Sequence, residues 1–520
     1  KVLTVPVLDD LIRELSDPSV YPHRPDSVRV VQTHISAVFI AGERVYKIKK
    51  PVDFGFLDFS TLERRRHFCE EEVRLNRRFA PTLYLGVTPI TGTPDDPWID
   101  GAEAPFEYAV QMMQFDQEAL LDRRIAAGAF TSQEAFALGT TLARLHQALP
   151  PLPVDSPFGD AQGVWQPVAA NFDALRPRLT ADRQSRMLAR LSVWSACAFQ
   201  RLKPLIAARK RGGWVRECHG DLHLRNIARI DERFVLFDCI EFDPALRTID
   251  VQSELAFLLM DLDDHQRRDL AAMALNGYLE QSGDYEGLAL LDFYRVYRAL
   301  VRAKVSALRA DQQDTPQERQ NCLTEAETYV QLAHAYLERE RPWLAITHGL
   351  SGSGKSTLAL GLAAATGAIR IRSDVERKRL FAIAPEDHDA PPDLYGPAAS
   401  ERTFNRLEAI ATRILAAGFP VIVDATFLER SLRARFLAIA TARRVPGVIL
   451  SLQADPQILR ARLARRQADV SDANVAVLEA QLVRQEALTP TERQQTLHVD
   501  AAPAFDFPGL YQQLRRLIPA

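Results

Sequence analysis

The sequence predicts two folds in succession: an α+β domain over residues 1–340, then an α/β domain with a mainly parallel sheet over 341–520. Three observations predict them. The chain has 520 residues, more than one hydrophobic core organises. Strand-like alternation is concentrated before residue 115 and helical spacing dominates after it, as in an α+β domain. Beyond residue 343 short apolar runs alternate with helical stretches, which predicts parallel strands covered on both faces.

In order along the chain, "VRVVQTHISAVFIAGERVYKIKK" (28–50) alternates apolar and polar residues around the turn "AGE" and reads as a hairpin. "FSTLERRRHFCEEEVRLNRRFA" has apolar residues at helical spacing among many charges, so it reads as an exposed amphipathic helix. "LYLGVTPI" and "FEYAVQMMQF" read as further strands. Helical patterns fill 117–210 around the proline-rich "LPPLPVDSPFGD", short apolar runs occupy 215–238, and 246–340 is almost wholly helical. The charged "LERERPW" (337–343) precedes a new strand and places the domain boundary. Five strand candidates follow: "WLAITHG", "AIRIRSD", "PVIVDAT", "GVILSLQAD" and "TLHVDA".

"GLSGSGKST" joins the first of these strands to a helix and fits G-x-x-x-x-G-K-[ST]. Gly349, Gly352 and Gly354 let the backbone curl, so that its N–H groups, with those of Ser351, Ser353 and Thr357, surround phosphate oxygens. Lys355 would reach the β/γ-phosphates, and Ser356 would bind Mg²⁺. Nineteen residues after the lysine, Asp374 follows the second strand at the carboxyl edge of the sheet, where ligands of such folds bind. It could accept the proton of an attacking hydroxyl or cap a helix. Arg377, one turn onward, could hold an anionic acceptor. Asp424, at a strand end, is the second acidic candidate around Mg²⁺. Arg460, Arg462, Arg465 and Arg466 crowd two helical turns. Arg462 and Arg466 share a face that could close over the transferred phosphate, unless the helix is simply solvated and basic.

Upstream, "HGDLHLRN" carries Asp221 and Asn226, and twelve residues later a strand delivers Asp238. Phosphoryl transfer from MgATP needs a carboxylate beside the acceptor hydroxyl, an amide oxygen on one Mg²⁺ and a second carboxylate on the metal. Asp221, Asn226 and Asp238 fit those roles in turn. Glu241 and Asp243 stand close after Asp238, either as extra ligands or as distorting neighbours.

The H-G-D-x-x-x-x-N…D set resembles the catalytic loop and D-F-G pair of protein kinases, in the variant found in the aminoglycoside phosphotransferase and choline kinase superfamily. The likeness covers about residues 25–335 and implies a protein-kinase-like two-lobed fold. It also implies a phosphate-pairing lysine, Lys47, although Lys49 points to the same face, with a carboxylate partner on the following helix, Glu71 before Glu70 or Glu72. The back domain resembles the small P-loop kinases, especially those of polynucleotide kinases and zeta-toxin relatives. That resemblance rests on "GLSGSGKS", the Asp374–Arg377 pair, "DAT" at Asp424 and the R-L-x-x-R run from Arg462 to Arg466. It implies Asp374 as general base, with Lys355 and the lid arginines stabilising the transition state. Mechanical AAA+ engines are a poorer match, since "VIVDAT" lacks their paired Asp-Glu.

The composition, 47% hydrophobic and 25% charged, is that of a globular protein. No apolar run reaches the ~18 residues of a membrane span. Five scattered cysteines lack CxxC or finger spacing, so a reduced, cytoplasmic protein without structural zinc is expected. The formal charge of −3 divides into +5 over 341–520 and −8 before it. The expected cofactors are ATP or GTP with Mg²⁺, and the expected partner is a hydroxyl acceptor, a small molecule or a nucleic-acid end. The rival expectation is a nucleotide-gated regulatory or toxin-like protein whose front domain binds ATP without catalysis.

Overall fold

The computed structural model describes residues 5–518 except 56, 339, 384–386, 388–391, 465–474 and 501–504. The chain packs into two compact units. The first is drawn from residues up to 130, 145–168 and 203–261; the second from 131–144, 169–202 and 262 onward.

The first unit opens with α1 (Val5–Glu14), followed by β1 (Val28–Gln32), β2 (Ser36–Ala41), β3 (Arg44–Lys49), α2 (Leu62–Asn76), β4 (Tyr84–Thr93), β5 (Asp96–Ile99) and β6 (Glu107–Met113). The strands form an antiparallel sheet in the order β1-β2-β3-β6-β4-β5. The segment read as one hairpin is three strands, because Thr33 Oγ1 accepts from the N–H groups of Ile35 and Ser36 and turns the chain early. The second turn is the expected one, with Gly42 at φ 61°. Leu8, Leu11 and Ile12 of α1 pack against Phe39, Tyr46 and Ile48. Cys69 and Val73 of α2 pack against Tyr84 and Val110.

After the sheet come α3 (Leu121–Ala126), α4 (Ser132–Ala148), α5 (Ala161–Leu175) and α6 (Asp182–Arg211). Two short ladders then build the front site: β7 (Val215–Glu217) with β10 (Thr248–Asp250), and β8 (Ile227–Ile230) with β9 (Arg233–Leu236). The helices α7 (Pro244–Arg247) and α8 (Val251–Asp264) follow.

The second unit contains α9 (Arg268–Ser282), α10 (Leu288–Ala310), α11 (Pro316–Ala335), β11 (Leu344–His348), α12 (Lys355–Thr366), β12 (Ile369–Arg372), α13 (Ser373–Leu380) and α14 (Pro397–Ala416). It continues through β13 (Val421–Asp424), α15 (Arg430–Arg443), β14 (Gly447–Gln453), α16 (Pro456–Ala464), α17 (Val475–Arg484), α18 (Pro490–Gln494), β15 (Thr496–Asp500) and α19 (Phe507–Leu517). The five strands are the five apolar runs of the sequence. All pair in parallel, in the order β12-β13-β11-β14-β15. β11 lies at the centre and is buried at every position, as a strand covered on both faces must be.

α9 is buried continuously from Leu270 to Leu279. Glycines explain how closely α4 approaches it: a Cβ on Gly139 would fall 1.9 Å from the Ala274 carbonyl oxygen, and one on Gly277 2.1 Å from that of Phe136. On its other side α9 meets β12, the edge strand. Asn276 Oδ1 accepts the Arg370 N–H at 2.7 Å, and its Nδ2 donates to the Ala368 carbonyl at 3.0 Å. One side-chain amide thus stands in for the strand that an edge lacks.

Arg433 is fully buried on α15. It pairs with Glu492 at 2.7 Å and donates to the carbonyls of Phe427, Leu428, Glu486 and Ala487. Arg433→Ala strands a buried carboxylate and four acceptors. Loss of one partner of such a pair costs about 3–5 kcal/mol, so urea unfolding of the second unit should shift to lower midpoint. A shift worth under about 1 kcal/mol by linear extrapolation would refute that role. Among the described residues no helix is long and apolar enough to cross a membrane.

Candidate active sites

In the first unit β3 and α2 bring opposite charges together. Lys47 Nζ lies 2.9 Å from Glu72 Oε1 and 2.6 Å from Asp238 Oδ1. Lys49 Nζ lies 2.7 Å from Glu72 Oε2 and also bonds Glu241. The carboxylate expected at Glu71 is therefore Glu72. Glu71 points away and pairs with Arg74 at 2.8 Å. The cause is helix register: Cys69, Glu72, Val73 and Asn76 are all buried and form an i, i+3, i+4, i+7 stripe. Burial disfavours the Glu72 charge, but Lys47 and Lys49 outweigh it and hold the carboxyl at about 2. Burial pushes Glu241 upward, with Lys49 opposing.

Asp221 and Asn226, singled out by their spacing, lie together. Asn226 Nδ2 donates to the Asp221 carbonyl at 2.9 Å, with Asp221 Oδ2 3.4 Å away. His219 Nε2 is 2.7 Å from the Phe237 carbonyl, and the Asp221 N–H is 3.3 Å from His219 Nδ1. That pattern requires a neutral ring protonated on Nε2, consistent with burial lowering its pKa. Glu254 on α8 accepts the N–H groups of His219 at 3.0 Å and Gly220 at 2.7 Å. Burial disfavours the Glu254 charge, but the hydrogen bond from His146 and these contacts hold its carboxyl at about 2. Nothing in the sequence had marked Glu254.

Asp238 has φ 65°, uncommon for a residue with a side chain. Its N–H donates to the Tyr84 hydroxyl at 3.1 Å, and the next N–H, of Cys239, to Asn76 Oδ1 at 3.0 Å. These two bonds hold the backbone of Asp238 and Cys239 in that conformation. Of the two acidic neighbours, Asp243 caps α7, and Glu241 belongs to the lysine pair.

In the second unit the phosphate loop runs from β11 to α12 with Gly349, Gly352 and Gly354 at φ 146°, 82° and 93°. Lys355 Nζ donates to the Leu350 carbonyl at 2.8 Å. Ser353 Oγ is buried with no hydrogen-bond partner among the described residues. Ser356 is partly exposed and Thr357 exposed on the first turn of α12. Sequence reasoning missed Gln481 on α17, whose Oε1 accepts the Ser351 N–H at 2.8 Å and whose Nε2 donates to its hydroxyl at 3.0 Å.

Asp424 ends β13, 5% exposed, and its Oδ2 has no hydrogen-bond partner among the described residues. A buried carboxylate oxygen without a hydrogen bond, at the sheet's loop-bearing edge, fits a divalent cation, and Ser356 would be the second ligand. Asp374 lies in the first turn of α13, whose N-cap is Arg372; it is not the capping residue. Arg377 is 7% exposed and commits Nη1 to the Leu394 carbonyl at 3.0 Å and Ser400 at 3.3 Å. Its Nε keeps no partner among the described residues. Arg462 lies over the loop with Nη1 3.5 Å from the Gly352 carbonyl, whereas Arg460 pairs with Glu479. Arg466 lies outside the described residues.

Two designs therefore stand on one chain, a kinase-type catalytic loop in the first unit and a phosphate loop on a parallel sheet in the second. Residues 344–488 match a family model described as an AAA domain. This match includes the phosphate loop, although Asp424 has no acidic neighbour at 425. An unliganded sugar kinase from Janibacter sp. is 21% identical, with 34% of this chain and 94% of that one covered and a TM-score of 0.27. A choline/ethanolamine kinase family protein from Mesorhizobium loti is 10% identical, with 63% and 100% covered and a TM-score of 0.38. The uncharacterized protein Rv2004c of Mycobacterium tuberculosis is 31% identical over 461 residues, 88% of this chain and 90% of its own. With that identity sustained across both units, the chain belongs to the family of this mycobacterial protein.

Proposed function

We propose that the chain is a phosphotransferase with two kinase-type sites, in a front domain (1–340) and a P-loop domain (341–520), each moving the γ-phosphate of MgATP to a hydroxyl. What supports this reading is that each unit carries a lysine suited to the phosphates, a carboxylate suited to a metal and a carboxylate suited to an acceptor. These are Lys47, Asp238 and Asp221 in one, and Lys355, Asp424 and Asp374 in the other.

In the front site Glu72 orients Lys47 toward the phosphates, and Asn226 and Asp238 would hold Mg²⁺. Asp221 takes the acceptor proton as the new O–P bond forms and the β–γ bridging bond breaks, releasing ADP. In the back site the loop N–H groups and Lys355 hold the phosphates, Ser356 and Asp424 would hold Mg²⁺, and Asp374 takes the proton. Arg462, with Nη1 3.5 Å from the Gly352 carbonyl of the loop, would meet the charge that develops on the transferred group. Arg377 shapes the acceptor side, with Nε left to meet an anion. When bound, Mg²⁺ supplies neutralisation of the phosphate charge.

The test is transfer from terminally labelled ATP to a pool of hydroxylated metabolites and 5′-hydroxyl oligonucleotides, with GTP in parallel. The wild type should label at least one acceptor, Lys355→Ala and Asp221→Asn should each remove a different product, and the double variant should remove all. A double variant that labels as well as wild type would sink both sites. Loss of every product in Lys355→Ala alone would instead make the front domain a regulatory ATP-binding module.

A further inference from the structure

The phosphate-loop site is connected to α9 through two arginines. Glu280, one turn beyond Asn276, accepts from Arg370 Nη2 at 2.6 Å and from Arg372 Nη1 at 3.1 Å. Burial works against the Glu280 charge, and the two guanidiniums overcome it, lowering its pKa below the ordinary glutamate value. Arg370 extends the link, donating from Nη1 to the Ser356 carbonyl at 3.1 Å on the first turn of α12. Arg372 extends it in the other direction: its Nε lies 3.9 Å from Asp424 Oδ2, the oxygen that lacks a hydrogen bond.

The end of α9 is fixed against α13 as well. Arg379 donates to the Glu280 carbonyl, and a Cβ on Gly283 would come within 3.0 Å of Arg379 Nε. Tyr285, just past α9, donates its hydroxyl to Glu376 Oε1 at 3.3 Å. Glu280 is thus held in place before it meets either arginine.

We infer that Glu280 is a positioning residue for the phosphate-loop site: it keeps the Arg372 guanidinium off Asp424, leaving that carboxylate available to a divalent cation. The inference rests on the reading of Asp424 as a metal carboxylate. Arg372 stands between two carboxylates and is bonded to the nearer. Burial disfavours its charge, while Glu280, Asp424 and Asp374 all favour it. With Glu280 neutralised, the strongest of the pulls on Arg372 is lost, and Asp424 attracts it from a distance where Coulomb attraction in a partly buried site is strong. A guanidinium seated on Oδ2 would then compete with Mg²⁺ for the same lone pairs. The plainer role, an ion pair that glues α9 to β12, accounts for the contacts with Glu280 but not for the approach of Arg372 to Asp424 Oδ2 at 3.9 Å.

The two roles separate by experiment. ATP binding is measured calorimetrically against Mg²⁺ concentration in the full-length protein carrying Asp238→Ala, which weakens the front metal site, with Lys355→Ala as the blank. Glu280→Gln should raise the half-saturating Mg²⁺ about tenfold. Glu280→Gln with Arg372→Met should bring it back to the starting value or below. Arg372→Met alone should lower it. An unchanged Mg²⁺ requirement in Glu280→Gln, with or without a fall in melting temperature, overturns the proposal. So does a raised requirement in Arg372→Met, which decides the matter if Glu280→Gln does not fold. Absence of Mg²⁺-dependent binding before either change overturns the phosphate-loop reading itself.

Discussion

Asp374→Asn should lower transfer at the phosphate-loop site by about 10²–10⁴-fold, the usual worth of a general base, with ATP affinity within about twofold of wild type. The position makes this a clean substitution. Asp374 is in the first turn of α13, but the N-cap is Arg372 and makes no side-chain capping bond. An amide of the same shape therefore removes a base without removing a cap. The measurement is single-turnover transfer from labelled ATP in an Asp221→Asn background, beside equilibrium nucleotide binding. Undiminished transfer with a normal unfolding transition would return Asp374 to a structural role.

In the front site Asp221→Asn, studied in a Lys355→Ala background, should cost a similar 10²–10⁴-fold while MgATP still binds. Asp238→Ala should act differently. It removes the carboxylate that Lys47 contacts at 2.6 Å and with it the charge bridge to the phosphates, so Mg²⁺-dependent binding itself should weaken. The loop is secured independently of Asp221, by Glu254 on the N–H groups of His219 and Gly220, so Asp221→Asn should leave its shape intact. Equal effects of both substitutions on binding would contradict the division of roles.

What the sequence disclosed, and what it withheld, follows from the range of the interactions. The parallel sheet was legible because each strand is a short apolar run between helices, and local pattern is enough. The glycines of the phosphate loop and the Asp221–Asn226 spacing were legible for the same reason. Glu72 was not, since three successive glutamates offer three directions, and only the buried Cys69–Val73–Asn76 stripe chooses among them. Gln481, Glu254 and Glu280 act across 130, 34 and 90 residues of chain. No spacing rule reaches that far. Arg377 was expected to hold an anionic acceptor; the bonds that fix it, from its Nη1 to the Leu394 carbonyl and Ser400, are likewise distant in sequence.

The amide of Asn276 has a consequence for anyone who would cut this chain in two. An unpaired strand edge is a template on which another chain can align, and proteins guard such edges. Here the guard of β12 is supplied from α9, ahead of the boundary that the sequence suggests at residue 341. A fragment beginning there would retain the whole sheet and phosphate loop but expose the Arg370 N–H and the Ala368 carbonyl. It should self-associate more strongly than the full-length protein, and sedimentation of the two side by side would show it.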